Sequence, residues 1–305
     1  MNKKERKNIA ASVRQRLFNK SKERKEDFQY ILNRFALERL LYRLSVSNYS
    51  ELFVLKGASL FIVWGGSAYR PTMDIDLLGI VPANPENLKK VIQDIISISE
   101  KDDGLAFDID SVHAEEIREN KQYGGVRVTL VAYLDSARIP LQVDIGFGDA
   151  ITPSPEKAKY PSILNLPSPE LSIYPKETVV AEKFETMVVL GMLNSRMRDF
   201  YDLWSIQNIF PFDSKVLQEA IRHTFSRRRT FIPEMDPVSL SEAFYKDPVK
   251  QAQWNAFVSK GISNDSGIKL DCVIHEIHDF IMPLCLALSQ DQRFDLKWPP
   301  GGPWK

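Results

Sequence analysis

Cysteine is nearly missing: the 305 residues hold two, Cys272 and Cys285. That excludes a disulfide framework, and the lack of a CxxC pair excludes a paired-thiolate zinc site. Net charge is missing as well, since 40 Lys and Arg balance 40 Asp and Glu. The chain as a whole therefore lacks the electrostatic signature of a nucleic-acid binder. No stretch approaches the roughly 18 apolar residues that a membrane span needs. The N-terminal "MNKKERKNIAASVRQRLFNK" is basic and has no continuous apolar run of the secretory kind. Internal repeats and low-complexity segments are absent too. These absences predict a cytoplasmic protein without a membrane partner, built as one large domain or two ordinary ones. The 44% hydrophobic and 26% charged fractions agree with a globular chain.

What is present is unevenly placed. Residues 1–27 hold ten Lys or Arg against four Asp or Glu, and "SRRRTF" groups Arg227, Arg228 and Arg229. In "DFQYILNRFALERLLYRLS", Leu37, Leu40, Leu41 and Leu44 recur at helical spacing. "SELFVLKGASLFIVW" reads as a short buried strand over Phe53, Val54 and Leu55, an exit at Lys56 and Gly57, and a helix from Ser59 to Trp64. "PANPENLKKVIQDIISIS" adds another helix. From residue 105 the period changes to 2. "LAFDIDSVHA", "GVRVTLVAYL" and "RIPLQVDIGF" are predicted strands, with turns at Gly124-Gly125 and Asp135-Ser136. Six prolines between residues 153 and 175 then predict a connecting segment without regular structure. The rest is helical in pattern. The expected fold class is α+β: a mixed-sheet α/β lobe over 1–165, a helical lobe over 166–305, and a ligand cleft between them.

The chemistry concentrates in "SAYRPTMDID". Residues i and i+2 of a strand share a face, about 6.7 Å apart at Cα. Asp74 and Asp76 are thus like-charged neighbours, either a solvated acidic edge strand or a pair that asks for a neutralising cation. A third carboxylate, Asp144, is the only charge at the end of the apolar strand "RIPLQVDIGF" and alternates away from its core face. Three hard oxygen ligands suit Mg²⁺ or Mn²⁺. A competing pair, Asp108 and Asp110 in "FDIDSV", lacks a phosphate-binding turn upstream. Gly57 permits a tight turn, and Ser59 follows at a helix start where N–H groups attract anions. Arg70, just ahead of the aspartates, joins them as a candidate nucleotide-binding residue.

"GAS…RPTMDID", "VDIGFGD", "KETVVAEKFETMV" and "NSRMRDFYDLW" in this order resemble the motifs of the AbiEii/AbiGii-type nucleotidyltransferase toxins. These are toxins of type IV toxin–antitoxin systems, within the DNA polymerase β-like nucleotidyltransferase superfamily. The resemblance runs from about residue 27 to the C-terminus, including "TFSRRRTFIP", "QWNAFV" and "WPPGGPW". It implies that Gly57 and Ser59 contact the nucleotide phosphates, although Ala58 stands where the family often has a second glycine. It likewise implies that Asp74, Asp76 and Asp144 hold metal, that Lys183 is an essential lysine, and that Asp199 or Asp202 is an essential acid. An NTP substrate, an RNA acceptor such as the 3′ end of tRNA, and a cognate antitoxin acting as a transcriptional regulator follow from the same resemblance.

The residues themselves bear on several of these roles. Val180, Phe184, Met187, Val188 and Gly191 predict a buried stripe with Lys183 at its edge, facing either solvent or a cleft. Asp199 and Asp202 share another helical face, where they either orient Lys183 or pair with Arg196 and Arg198. One of the aspartates, such as Asp144, is a candidate general base for the acceptor hydroxyl. Arg227 to Arg229 guide RNA or triphosphate, or simply end a helix. Cys272, His275 and His278 splay too widely for one tetrahedral zinc. Trp64 and Tyr69 read as packing groups. The leading expectation is a Mg²⁺-dependent nucleotidyltransferase toxin acting on RNA. Its alternatives are an enzyme of the same superfamily acting on a protein or small molecule, and a non-catalytic nucleotide-binding module.

Overall fold

The computed structural model describes residues 3–65, 72–100, 102–120, 123–259 and 267–305. It divides into two compact units, and the chain passes between them more than once. The first comprises residues 1–148 and 156–173; the second comprises 149–155 and 174–305. The boundary thus differs from the single break expected at 165/166.

The first unit begins with α1 (Lys3–Arg24) and α2 (Phe28–Ser45), followed by β1 (Phe53–Lys56), α3 (Ser59–Gly65), β2 (Ile75–Gly79) and α4 (Pro85–Ile96). It continues with β3 (Leu105–Asn120), β4 (Tyr123–Leu134), β5 (Ala137–Phe147), β6 (Glu156–Lys159) and β7 (Glu170–Ile173). Among the described residues these strands form one mixed sheet in the order β3-β4-β5-β2-β1-β7-β6. Pairing is parallel at β2/β5 and β1/β7 and antiparallel elsewhere.

Alternation sets the two faces of this sheet. Phe53, Leu55, Ile75, Leu77, Val143 and Ile145 point to one side and are buried. Leu40, Leu41 and Leu44 of α2 and Ile92 and Ile95 of α4 meet that side. Removing so much apolar surface from water is the main stabilising term of the unit. Local chemistry agrees at the helix starts: the Asp27 and Asn84 side chains accept from the N–H groups of Tyr30 and Asn87 as N-caps.

Two strand expectations need correction. Residues 153–175, expected to lack regular structure, contain β6 and β7, and β7 joins the sheet through Val54↔Ser172 and Leu55↔Ile173. That long-range pairing moves the unit boundary past residue 165. Gly124 and Gly125, expected at a turn, lie inside β4, opposite Arg118 and Ile117. The turn at Asp135-Ser136 is as expected, with Asp135 at φ +53.

The second unit is helical apart from a two-stranded ribbon. It contains α5 (Lys176–Leu190), α6 (Met197–Ile209), β8 (Phe212–Asp213), α7 (Ser214–Arg228), α8 (Glu242–Tyr245), α9 (Pro248–Val258), α10 (Leu270–Ser289) and β9 (Lys297–Trp298). Residues 149–155 belong here because Thr152 N donates to Thr178 Oγ1 at 2.8 Å, and that hydroxyl donates to Thr152 O at 2.9 Å.

Contrary to the expectation that no stretch suits a membrane span, α10 is long and apolar enough by length and composition. Its Val273, Ile274, Ile277, Phe280, Ile281 and Leu284 are nevertheless fully buried, and α10 packs on α6 and α7. It is the central helix of this unit. Cys285 sits on it, and burial pushes its thiol up to about 12. Cys272 is exposed, His275 Nδ1 lies 2.7 Å from Asp271 O, and His278 Nε2 lies 2.9 Å from Asp236 Oδ1.

Candidate active site

Strand register assembles the charged face of the first unit. Lys56 of β1 pairs with Asp76 of β2, Asp76 with Asp144 of β5, Asp144 with Arg127 of β4, and Arg127 with Glu115 of β3. Five charged residues thus stand in one row across five adjacent strands, on the side opposite the apolar core. The pleat alone produces this arrangement: each is flanked in sequence by residues that point the other way.

Asp76 and Asp144 are therefore cross-strand neighbours, as the sequence predicts. Asp74 stands one residue before β2, and Thr72 Oγ1 donates to its Oδ1 at 2.7 Å. Asp144 is held more firmly. Arg127 donates from Nε to Oδ1 at 2.8 Å and from Nη2 to Oδ2 at 2.7 Å, and Gln142 Nε2 donates to Oδ2 at 3.1 Å. The hydrogen bonds from Arg127 to Asp144 hold the guanidinium above the ordinary arginine range, and the charges of Asp74 and Glu115 act in the same direction. Asp74 and Asp144 thus share the field of one arginine.

The turn after β1 completes this part of the site. Gly57 adopts φ +71, and a Cβ built there would fall well inside contact distance of the Asp76 carboxylate. Glycine is needed here for both reasons. Ser59 opens α3 but is only 2% exposed, with Tyr160 close enough to feel its hydroxyl. Trp64 packs edge-on against Phe61, as expected of a packing group. Arg70 and Tyr69 lie outside the described residues.

A second cluster lies within the helical unit. Lys183 of α5 donates to Asp199 Oδ1 at 2.7 Å and Asp202 Oδ2 at 2.8 Å, both on α6. Arg196 Nε pairs with Asp199 Oδ2 at 2.6 Å. The two alternatives for these aspartates therefore coexist: they orient Lys183, and one also pairs with an arginine. Both aspartates are 1% exposed. Burial pulls the Lys183 ammonium down, but the two carboxylates outweigh it and the net shift is upward. Burial raises Asp199 while Lys183 and Arg196 outweigh that, leaving it below the usual carboxylate range. The predicted buried stripe holds at Val180, Phe184 and Met187, whereas Val188 and Gly191 are only half-buried.

Other candidates separate clearly. Asp108 and Asp110 lie on β3, where the Asp110 N–H donates to Asp108 Oδ1 at 3.2 Å. Arg228, from the three-arginine run, is committed to Asp149, Glu182 and Glu185 at 3.2, 3.5 and 2.9 Å. Arg227 and Arg229 are exposed, and Arg229 caps α7 in the left-handed region. Arg127 is the residue that sequence reasoning missed. Its signal was available: in "GVRVTLVAYL" it alternates with Val126 and Val128, so it had to face the polar side.

Residues 39–271 match the family described as nucleotidyl transferase AbiEii toxin, type IV TA system. The chain belongs to the AbiEii family. It is accordingly a nucleotidyltransferase of a toxin–antitoxin system, with a nucleotide substrate and a cognate antitoxin. The match leaves out α1 and the C-terminal "WPPGGPW". Two crystal structures from Helicobacter pylori are similar to this AbiEii protein. JHP933 is 13% identical, with TM-score 0.49, over 87% of this chain and 95% of its own. A proposed nucleotidyltransferase is 15% identical, with TM-score 0.47, over 86% of this chain and 98% of its own. No curated protein sequence matches the chain.

The carboxylates fit a divalent cation by donor chemistry, since hard oxygens suit Mg²⁺ and Mn²⁺. Their present arrangement is not closed around one. Among the described residues, no three His, Cys, Asp or Glu side chains converge as a ready metal-holding group. The reason is visible at each end, because Thr72 engages Asp74 and Arg127 engages Asp144.

Proposed function

We propose that this AbiEii protein transfers a nucleoside monophosphate from an NTP to an RNA hydroxyl, with the 3′ end of tRNA as the acceptor. The observation that carries this reading is the adjacency of Asp76 and Asp144 on parallel strands, beside a glycine turn that admits no side chain. Asp74, Asp76 and Asp144 would hold Mg²⁺ or Mn²⁺. When bound, such an ion neutralises charge on the attacking oxygen and on the departing pyrophosphate.

The chain's own residues supply alignment. Gly57 brings the backbone turn against Asp76, where any side chain would push the carboxylate out of place. Arg70 contributes a positive charge to the triphosphate. Asp144, once released by Arg127, accepts the acceptor hydroxyl's proton. Ser59, buried at the start of α3, would contact phosphate only after its hydroxyl is uncovered. Lys183 is required for the reaction as the family reading implies, and Asp199 and Asp202 set its orientation. The basic residues of α1 and of Arg227 and Arg229 favour an RNA acceptor through phosphate contacts. The antitoxin would act as a transcriptional regulator, and the reaction would take place in the cytoplasm.

The test uses purified protein, Mg²⁺ and each α-labelled NTP in turn, offered total RNA, a protein extract and small hydroxyl compounds. Label in an RNA band, abolished by a chelator, is the expected result. Label on a protein or small molecule would keep the chemistry and overturn the acceptor. No label and no nucleotide binding would overturn the proposal, leaving the row as an acidic sheet face.

A further inference from the structure

The row of charges contains a feature that the transfer reaction alone does not require. Asp76 and Asp144 face each other across about 4.8 Å of parallel sheet. Two carboxylates that close repel unless a cation lies beside them. In the structure Arg127 takes both oxygens of Asp144 in a bidentate fork, the strongest side-chain geometry for a carboxylate. The Asp144 side chain is 10% exposed, whereas Arg127 is 36% exposed and so has room to withdraw. Its cross-strand neighbour on β3 is Glu115, an exposed carboxylate able to receive the guanidinium.

We propose that Arg127 is a built-in stand-in for the divalent cation. It holds Asp144 in place in the metal-free protein and, by competing for that carboxylate, sets how tightly the metal binds. This rests on the metal reading of the proposed function. Binding then requires the fork to open, so part of the metal's affinity is given up to displace an internal cation. Arg127 is a positioning residue here, acting on the site through Asp144.

The experiment titrates Mn²⁺ into the full-length protein, follows free Mn²⁺ by electron paramagnetic resonance, and records melting with and without the ion. Arg127→Met removes the charge and keeps an apolar stem. It should lower the metal-free melting temperature and tighten Mn²⁺ binding about tenfold. The rise in melting temperature on saturation should then exceed that of the wild type. Arg127→Lys keeps the charge but loses the fork, and should tighten binding about threefold. This second variant decides the matter if the first does not fold. Unchanged or weaker Mn²⁺ binding by the variants, with the wild type binding normally, overturns this inference alone. Absence of Mn²⁺ binding in the wild type overturns the metal reading of the site and this inference with it.

Discussion

Gly57 shows how much one residue constrains here. Its positive φ and its closeness to the Asp76 carboxylate both exclude a side chain. Gly57→Ala should therefore cost about 1–3 kcal/mol of stability from backbone strain. It should also displace Asp76, so transfer activity falls further than the loss of folded protein explains. Urea unfolding beside an activity assay separates the two effects. Lys183 makes stability depend on pH. Its ammonium is raised in the folded state and Asp199 is lowered. The lysine contribution is complete below its unfolded value and is lost as pH rises through the higher folded one. The aspartate contribution is present above its unfolded value and is lost as pH falls through the lower folded one. Melting of wild type against Lys183→Met across pH should show the largest gap between these limits, narrowing at both extremes. The gap itself should be about 3–5 kcal/mol, because the variant removes the cation that two buried carboxylates share. Equal melting of the two proteins at neutral pH would contradict the buried triad.

Among the elements, what was legible in the sequence is what local pattern encodes. The leucine spacing of α2, the Asn-Pro start of α4 and the alternation of β5 each name their own partners and faces. The same alternation placed Asp144 opposite the core, and an even simpler reading of "GVRVTLVAYL" would have placed Arg127 on the polar face too, though alternation alone does not give the register that pairs the two. β6 and β7 were not legible. Four-residue strands among prolines carry almost no local signal, and β7 exists through pairing with β1, more than a hundred residues earlier. The Lys183 triad was half legible: spacing placed Asp199 and Asp202 on one helical face, but only tertiary packing brings the lysine to both. The α2 stripe supports its own test. Leu41→Ala, buried between helix and sheet, should cost about 2–5 kcal/mol in urea unfolding. A loss under about 1 kcal/mol would mean that this core face is not packed as described.

At the scale of the whole molecule, zero net charge conceals a strong asymmetry. α1 carries nine Lys or Arg against two Glu, so the remainder of the chain is acidic by the same amount. Its Ala10, Val13 and Leu17 are buried, while Lys22, Arg24 and the following Lys25 are exposed. If RNA is the acceptor, its affinity should fall steeply with salt. A Lys22→Gln/Arg24→Gln/Lys25→Gln variant should reduce the logarithmic salt slope by about 2, at roughly 0.7 for each single-strand phosphate no longer neutralised. Fluorescence anisotropy with a labelled RNA measures this, and an unchanged slope would place the RNA elsewhere. The Asp76 row, rather than any other acidic pair, is the proposed centre of nucleotidyl transfer. Its most direct test is the rate of label transfer from an α-labelled NTP to RNA by wild type, Asp76→Asn and Asp108→Asn. The rate should drop about a thousandfold in Asp76→Asn and stay unchanged in Asp108→Asn, with both variants folded. Retained transfer by Asp76→Asn, or its loss in Asp108→Asn, would contradict that assignment.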